Sequence, residues 1–182
     1  MPGEYELKVF SLGTVKSVSE DVYIALFVLI VIGTIFLMWR KGLREGFRLS
    51  MILLLAEWVF LIFGICVLFR ESDVERSINL IPLSSYFDIA ENTYFIEKAA
   101  LNVLNVAMFV PVGLLLGLGF RGMTWKKMFL TCLTLSILTE LLQFIFKRGL
   151  CETDDVIHNV LGAAIGFGIY CILAWIWGKG KL

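Results

Sequence analysis

Five apolar stretches, at residues 22–39, 49–69, 101–120, 127–146 and 156–177, take up more than half of this 182-residue chain. A helix needs roughly 20 apolar residues to cross a hydrocarbon core about 30 Å thick. Hydrocarbon offers the backbone no hydrogen bonds, so each stretch has to satisfy its own as a helix. The expected fold is therefore all-α: a polytopic bundle of about five transmembrane helices, multi-pass in the plasma membrane. A soluble globular domain is excluded by composition, with 59% hydrophobic and only 18% charged residues against a usual apolar content near half. The segment before the first stretch mixes Glu4, Glu6, Lys8, Lys16, Glu20 and Asp21. It lacks the basic head and small-residue cleavage site of a signal peptide, so the first span is expected to be retained.

Basic residues in short loops stay on the cytoplasmic side. Arg40, Lys41, Arg44 and Arg48 lie between the first two stretches, Arg121, Lys126 and Lys127 between the third and fourth, and Lys179 and Lys181 after the fifth. These groups alternate, and the remaining connections carry almost all the acids. The expected topology is N-terminus outside and C-terminus cytoplasmic. Lys plus Arg equals Asp plus Glu at 16 each, so no general basic surface is available and nucleic acid is not an expected partner. Of four cysteines, Cys66, Cys132 and Cys171 fall within apolar stretches and only Cys151 in a connection. That pattern is not a disulfide framework, and a Cys66–Cys151 bridge is the one geometry worth testing. No Cys/His spacing for zinc is present, so no metal ligands are assigned and the cofactor is left open, since clustered carboxylates can also hold a divalent cation through oxygen ligands.

The candidate functional residues are polar groups in apolar context. Such groups are costly in a bilayer and persist mainly where they pair or do work. Asn105, Phe109, Gly113 and Gly117 recur every four residues and keep one helix face. Pro111 between them is expected to interrupt the helix ladder and free a carbonyl for a neighbour. Ser136, Glu140 and Gln143 share a face of the fourth stretch, with Arg148 at its boundary. A guanidinium there can hold a carboxylate or a phosphate oxygen in a planar fork. Thr153, Asp154 and Asp155 open the fifth stretch, where acids also serve as helix caps. Asp155 lies four residues before Asn159, and Gly162 and Gly166 continue that face as a close-packing pair. Glu57 sits alone in the second stretch, and His158, the only histidine, reads as an interfacial residue. The binding set is Asn105, Glu140, Gln143, Arg148, Asp154, Asp155 and Asn159, gathered near the outer face. Glu140 and Asp155 are the candidates for any catalytic role.

The segments NLIPL at 79–83, NVLNVAMFVPVG at 102–113, SILTELLQFIFKRG at 136–149 and DDVIHNVLGAAIG at 154–166 resemble the VanZ-like family of bacterial membrane proteins. The matching positions are Asn105, Pro111, Glu140, Gln143, Arg148, Asp155 and Asn159. Two departures are the order Arg148-Gly149, where the family often has Gly before the Arg, and His158 at a position more often apolar. The resemblance implies a role at the cell envelope, including low-level resistance to teicoplanin-type glycopeptides, and carries no biochemical activity with it. It divides the chain into an N-terminal segment, 1–78, with two transmembrane helices and the start of the outer loop, and a VanZ-like domain, 79–177, with an interfacial segment and three transmembrane helices.

Three functions fit these residues. The first is binding or remodelling of a lipid-linked envelope component or lipoglycopeptide at the outer leaflet, with membrane lipids as partners. The second is an intramembrane enzyme acting on a lipid-linked phosphate or cell-wall precursor, using Glu140 or Asp155 with Arg148. It stands second because the chain shows no nucleophile elbow, histidine-rich zinc motif or phosphate-cradling loop. The third is a small proton-coupled transporter using Glu57 and Glu140, which in a chain this thin calls for an oligomer.

Overall fold

A computed structural model describes residues 20–68, 78–83, 86, 95–149 and 151–178. Among them the fold is all-helical: α1 (Glu20–Lys41), α2 (Leu43–Phe63) continuing into a π-helical turn (Gly64–Leu68), α3 (Phe95–Gly119), α4 (Trp125–Phe146) and α5 (Thr153–Gly178). Four helical stretches are long and apolar enough to cross a membrane: Leu43–Val67, Ala99–Gly119, Trp125–Phe146 and Thr153–Ile176. They coincide with the second to fifth stretches expected from sequence. The first expected stretch is helical within α1. The expected interfacial segment, residues 84–98, lies mostly outside the described residues.

α1 and α2 fold back on each other through Gly42, whose φ of 82° suits glycine. Gly46 then lies against the α1 backbone, where an added Cβ would meet the Met38 Cα at 2.3 Å. Apolar side chains cover the outside of the molecule, among them Leu29, Ile35, Phe60, Ile145 and Ile172. That inversion of the soluble pattern suits a hydrocarbon surround.

Without a hydrophobic force between helices in lipid, association depends on close packing and polar contacts. The α3–α5 pair shows both. A Cβ on Gly113 would lie 1.9 Å from the Ala163 carbonyl oxygen, one on Gly162 2.1 Å from that of Val106, and one on Gly166 1.8 Å from that of Val110. The glycine faces read from sequence are thus where two backbones touch. Phe109, Val112, Leu116, Met128, Cys132, Ala163 and Phe167 form the surrounding core. Trp125 meets Phe167 edge to face at 4.9 Å. Pro111 does not end α3, which stays helical through Gly119. The Trp58 indole on α2 donates to the Met108 carbonyl at 2.8 Å, in the turn that Pro111 deprives of a backbone donor.

The two ends of the bundle differ in chemistry. At one end, Arg121 from the α3–α4 connection reaches Glu45 near the start of α2 at 3.0 Å, and Glu45 also pairs with Arg48. Two of the basic connections therefore share one end. At the other end, β1 (Ile78–Asn79) pairs in parallel with β2 (Cys151–Glu152). This two-residue ladder ties the NLIPL segment to the entrance of α5.

Candidate functional site

The first two turns of α5 organise this second end, because their side chains radiate to different neighbours. Asp154, 1% exposed, accepts the backbone N–H of Leu83 at 2.5 Å. Asp155 accepts the Asn105 amide from α3 at 2.7 Å. His158 Nε2 pairs with the Tyr86 hydroxyl at 2.7 Å, and Asn159 donates to Ser136 Oγ on α4 at 2.9 Å. The four residues span barely more than one helical turn, so their directions fan out at about 100° per residue. One helix start thereby binds the NLIPL loop, α3 and α4 together.

The α4 end is held by its own backbone. Lys147 adopts the left-handed conformation (φ 55°, ψ 44°), and the Arg148 N–H returns to the Gln143 carbonyl at 2.8 Å, a Schellman-type closure. Gly149, at φ 149°, then redirects the chain into β2. The turn places the Glu152 N–H 3.1 Å from Glu140 Oε2. Glu140, 4% exposed, thus accepts a backbone donor from the strand leading into α5. Gln143 donates through Nε2 to the Cys66 carbonyl at 3.3 Å, in the π-helical turn of α2, where the last carbonyls of a helix lack partners. Arg148 is half-buried beside this turn.

Electrostatics agree with this proximity. Burial pushes the Cys151 thiol above its ordinary range, and the negative charges of Glu140 and Asp155 push it further. Both carboxylates therefore act on one small volume between α4, β2 and α5. Cys66 and Cys151 are free thiols, so the bridge considered from sequence is not formed. Among the described residues no three His, Cys, Asp or Glu side chains come together as metal ligands.

The expected set is brought together at one end, with bonds that spacing did not give. Asp155 turns to Asn105 and Asn159 turns to Ser136, each on another helix. Two further members, Asn102 and Tyr86, escaped the sequence reading, and Ser136 and His158, noted there, join the site although neither was in the expected binding set. His158 is 3% exposed and tied to Tyr86, so it is a buried residue of the site. Its signal was the spacing of four from Asp154. Several buried polar atoms keep no partner: Gln143 Oε1, Asn159 Oδ1, Asn102 Nδ2 and His158 Nδ1. Natural structures rarely leave such atoms unpaired, so the site has hydrogen-bonding capacity to offer a ligand or water.

A profile of the VanZ/LLP1 family matches residues 23–174. The chain belongs to this family. It is 33% identical over 96 residues to Protein VanZ of Enterococcus faecium, an alignment covering 53% of this chain and 53% of that one. The chain thus spans about half the length of the curated relative it matches. No solved structure matches it.

Proposed function

We propose that this VanZ/LLP1 protein acts at the outer leaflet of the bacterial plasma membrane, binding or remodelling a lipid-linked envelope component or lipoglycopeptide, and contributes to teicoplanin-type glycopeptide resistance. The observation that carries this reading is the convergence of Asn105, Glu140, Gln143, Asp154, Asp155 and Asn159 at one end of the bundle. Buried amide atoms there have hydrogen bonds still to make. In this reading α1 is a fifth span, the N-terminus is outside and the basic end of the bundle is cytoplasmic. Arg148 then stands at headgroup depth, suited to an anionic group.

Binding ranks above catalysis because the two candidate acid/base groups are already engaged. Glu140 accepts the Glu152 N–H and Asp155 accepts the Asn105 amide, which suits carboxylates that shape a pocket. Proton transport ranks lower. Glu57 lines a cleft with Leu29 and Ile30 of α1 and Leu53 and Phe60 of α2, away from the face of α4 that carries Glu140.

The test is deletion in the host, with susceptibility measured for teicoplanin beside a non-lipidated glycopeptide. Complementation uses wild type and equally expressed Glu140→Gln. Selective sensitisation rescued by wild type and not by Glu140→Gln is the expected result. Unchanged susceptibility to both drugs would remove the resistance role.

A further inference from the structure

Directly below the polar site lies an apolar cavity of about 240 Å³, lined by Val59, Ile62 and Phe63 of α2, Phe109 and Val112 of α3, and Leu135, Leu138, Thr139 and Leu142 of α4. Its lining is hydrocarbon apart from the Thr139 hydroxyl, which is already bonded to the Leu135 carbonyl at 3.0 Å. A void of this kind does not hold water and forfeits dispersion contacts while empty. Leu138, one of its walls, is 46% exposed on the lipid-facing surface, so the cavity borders the bilayer. Aliphatic chains are the material available to fill it.

The outer end of the cavity is polar in a specific way. On α2, Ile62 and Phe63 lead one turn further to Cys66, whose carbonyl takes the Gln143 amide from α4. That bond crosses the gap between the two helices and leaves Gln143 Oε1 buried without a donor. On α3, Asn102 stands seven residues before Phe109, two turns along the same face. Its Nδ2 is buried without an acceptor. Gln143 and Asn102 are 4% and 8% exposed. Gln143 follows Leu142 of the lining and Asn102 precedes Phe109 by two turns, so one unfilled acceptor and one unfilled donor lie toward the same end of the hydrocarbon slot. A hydroxyl or amide supplies both partners at once, whereas an ester supplies only an acceptor.

We infer that the cavity between α2, α3 and α4 is a chain-binding slot. It takes one hydrocarbon chain of a membrane lipid, and Asn102 and Gln143 hydrogen-bond the hydroxyl- or amide-bearing junction where that chain meets its headgroup. The inference rests on the outer-leaflet binding reading and specifies it. The headgroup lies among Glu140, Arg148 and Asp155, and the chain runs inward past Phe109.

The experiment is quantitative mass spectrometry of lipid retained by the full-length chain after purification from its own membranes and a delipidating detergent wash. Wild type is expected to keep one lipid per chain, enriched in hydroxyl- or amide-linked species over the bulk extract. Leu138→Trp, which fills the slot from its rim, is expected to retain about tenfold less, a change that needs only about 1.4 kcal/mol. Ile145→Trp, on an exposed face of α4 outside the slot, is expected to match wild type, and thermal unfolding confirms that both variants are folded. Equal retention by Leu138→Trp and wild type, or a wild type that keeps no lipid, overturns the slot. Preferential retention of teicoplanin over its deacylated core in a competition arm overturns the assigned occupant. Failure of the functional reading looks different: lipid is retained and lost on Leu138→Trp while resistance ignores Glu140→Gln.

Discussion

The two ends of the bundle hold comparable polar inventories in opposite surroundings. At the Glu45 end the Arg121 side chain is 70% exposed, and its ion pair lies open at the molecular surface. At the Asp155 end Asp154, Glu140, His158 and Asn159 are each 4% exposed or less. Charges at the first end suit holding the chain to one side of the membrane, a task that depends on how many there are and not on whom they touch. Polar groups at the second end persist because they have partners on other helices, and losing a partner leaves a buried group unpaired. In the proposed orientation, the charges at the first end act as an address, while the polar groups at the second build a site.

The strongest way to break the comparison is to separate the helices that build the second end. Gly166→Val places a Cβ where the Val110 carbonyl oxygen lies 1.8 Å away. The expected cost exceeds the about 1–3 kcal/mol usual for overpacking, read as loss of monodisperse protein on size exclusion and a collapsed Tm.

A finer cut isolates one bond across α3 and α5. A double-mutant cycle on Asn105→Ala and Asp155→Ala is expected to return a coupling of about 0.6 to 1.7 kcal/mol, the range for interhelical hydrogen bonds in membranes. Zero coupling would mean that the two side chains act independently.

Cys151 reports the charge of the site. The thiolate is the reactive form, and burial with Glu140 and Asp155 raises the thiol pKa, so maleimide alkylation at pH 8 should be slower than for a free thiol and should accelerate as pH rises. Glu140→Gln removes one of the two repelling charges, lowers the pKa and should speed alkylation at pH 8 relative to wild type. An impermeant maleimide on intact cells adds the side of the membrane. Labelling from outside supports the outer-leaflet placement, and labelling only after permeabilisation reverses it.

The smallest effect belongs to the exposed end. Arg121→Ala removes an ion pair that water and salt already screen, and Tm is expected to stay within experimental error. A marked drop in Tm would show that the two ends are less different than their exposures imply.

Much of the helical frame was legible from apolar length alone. The stretches 49–69, 101–120, 127–146 and 156–177 recur as helices because hydrocarbon leaves the backbone no alternative. The glycine faces of α3 and α5 were legible too, since Gly113, Gly162 and Gly166 keep a four-residue beat. Pro111 was legible as well: a neighbour, Trp58, donates to a carbonyl in the turn it affects, while the helix runs on to Gly119. The partner of His158 was not legible. Tyr86, which His158 meets, lies 72 residues away, and no local pattern encodes that.

What the sequence by itself determined is the set of helices, the alternation of charge between connections and the polar residues that could not face lipid unpaired. These follow from the free energy of single groups in water and hydrocarbon, which depends on composition and local spacing. What only the tertiary structure decided is who pairs with whom: Asp155 with Asn105, Asn159 with Ser136, Asp154 with the Leu83 backbone, and Gln143 with the Cys66 carbonyl. Hydrogen bonds are short-ranged and directional. Their partners are therefore fixed only once the α3–α5 glycines set the distance between helices and the Lys147 turn sets where the chain re-enters the bundle.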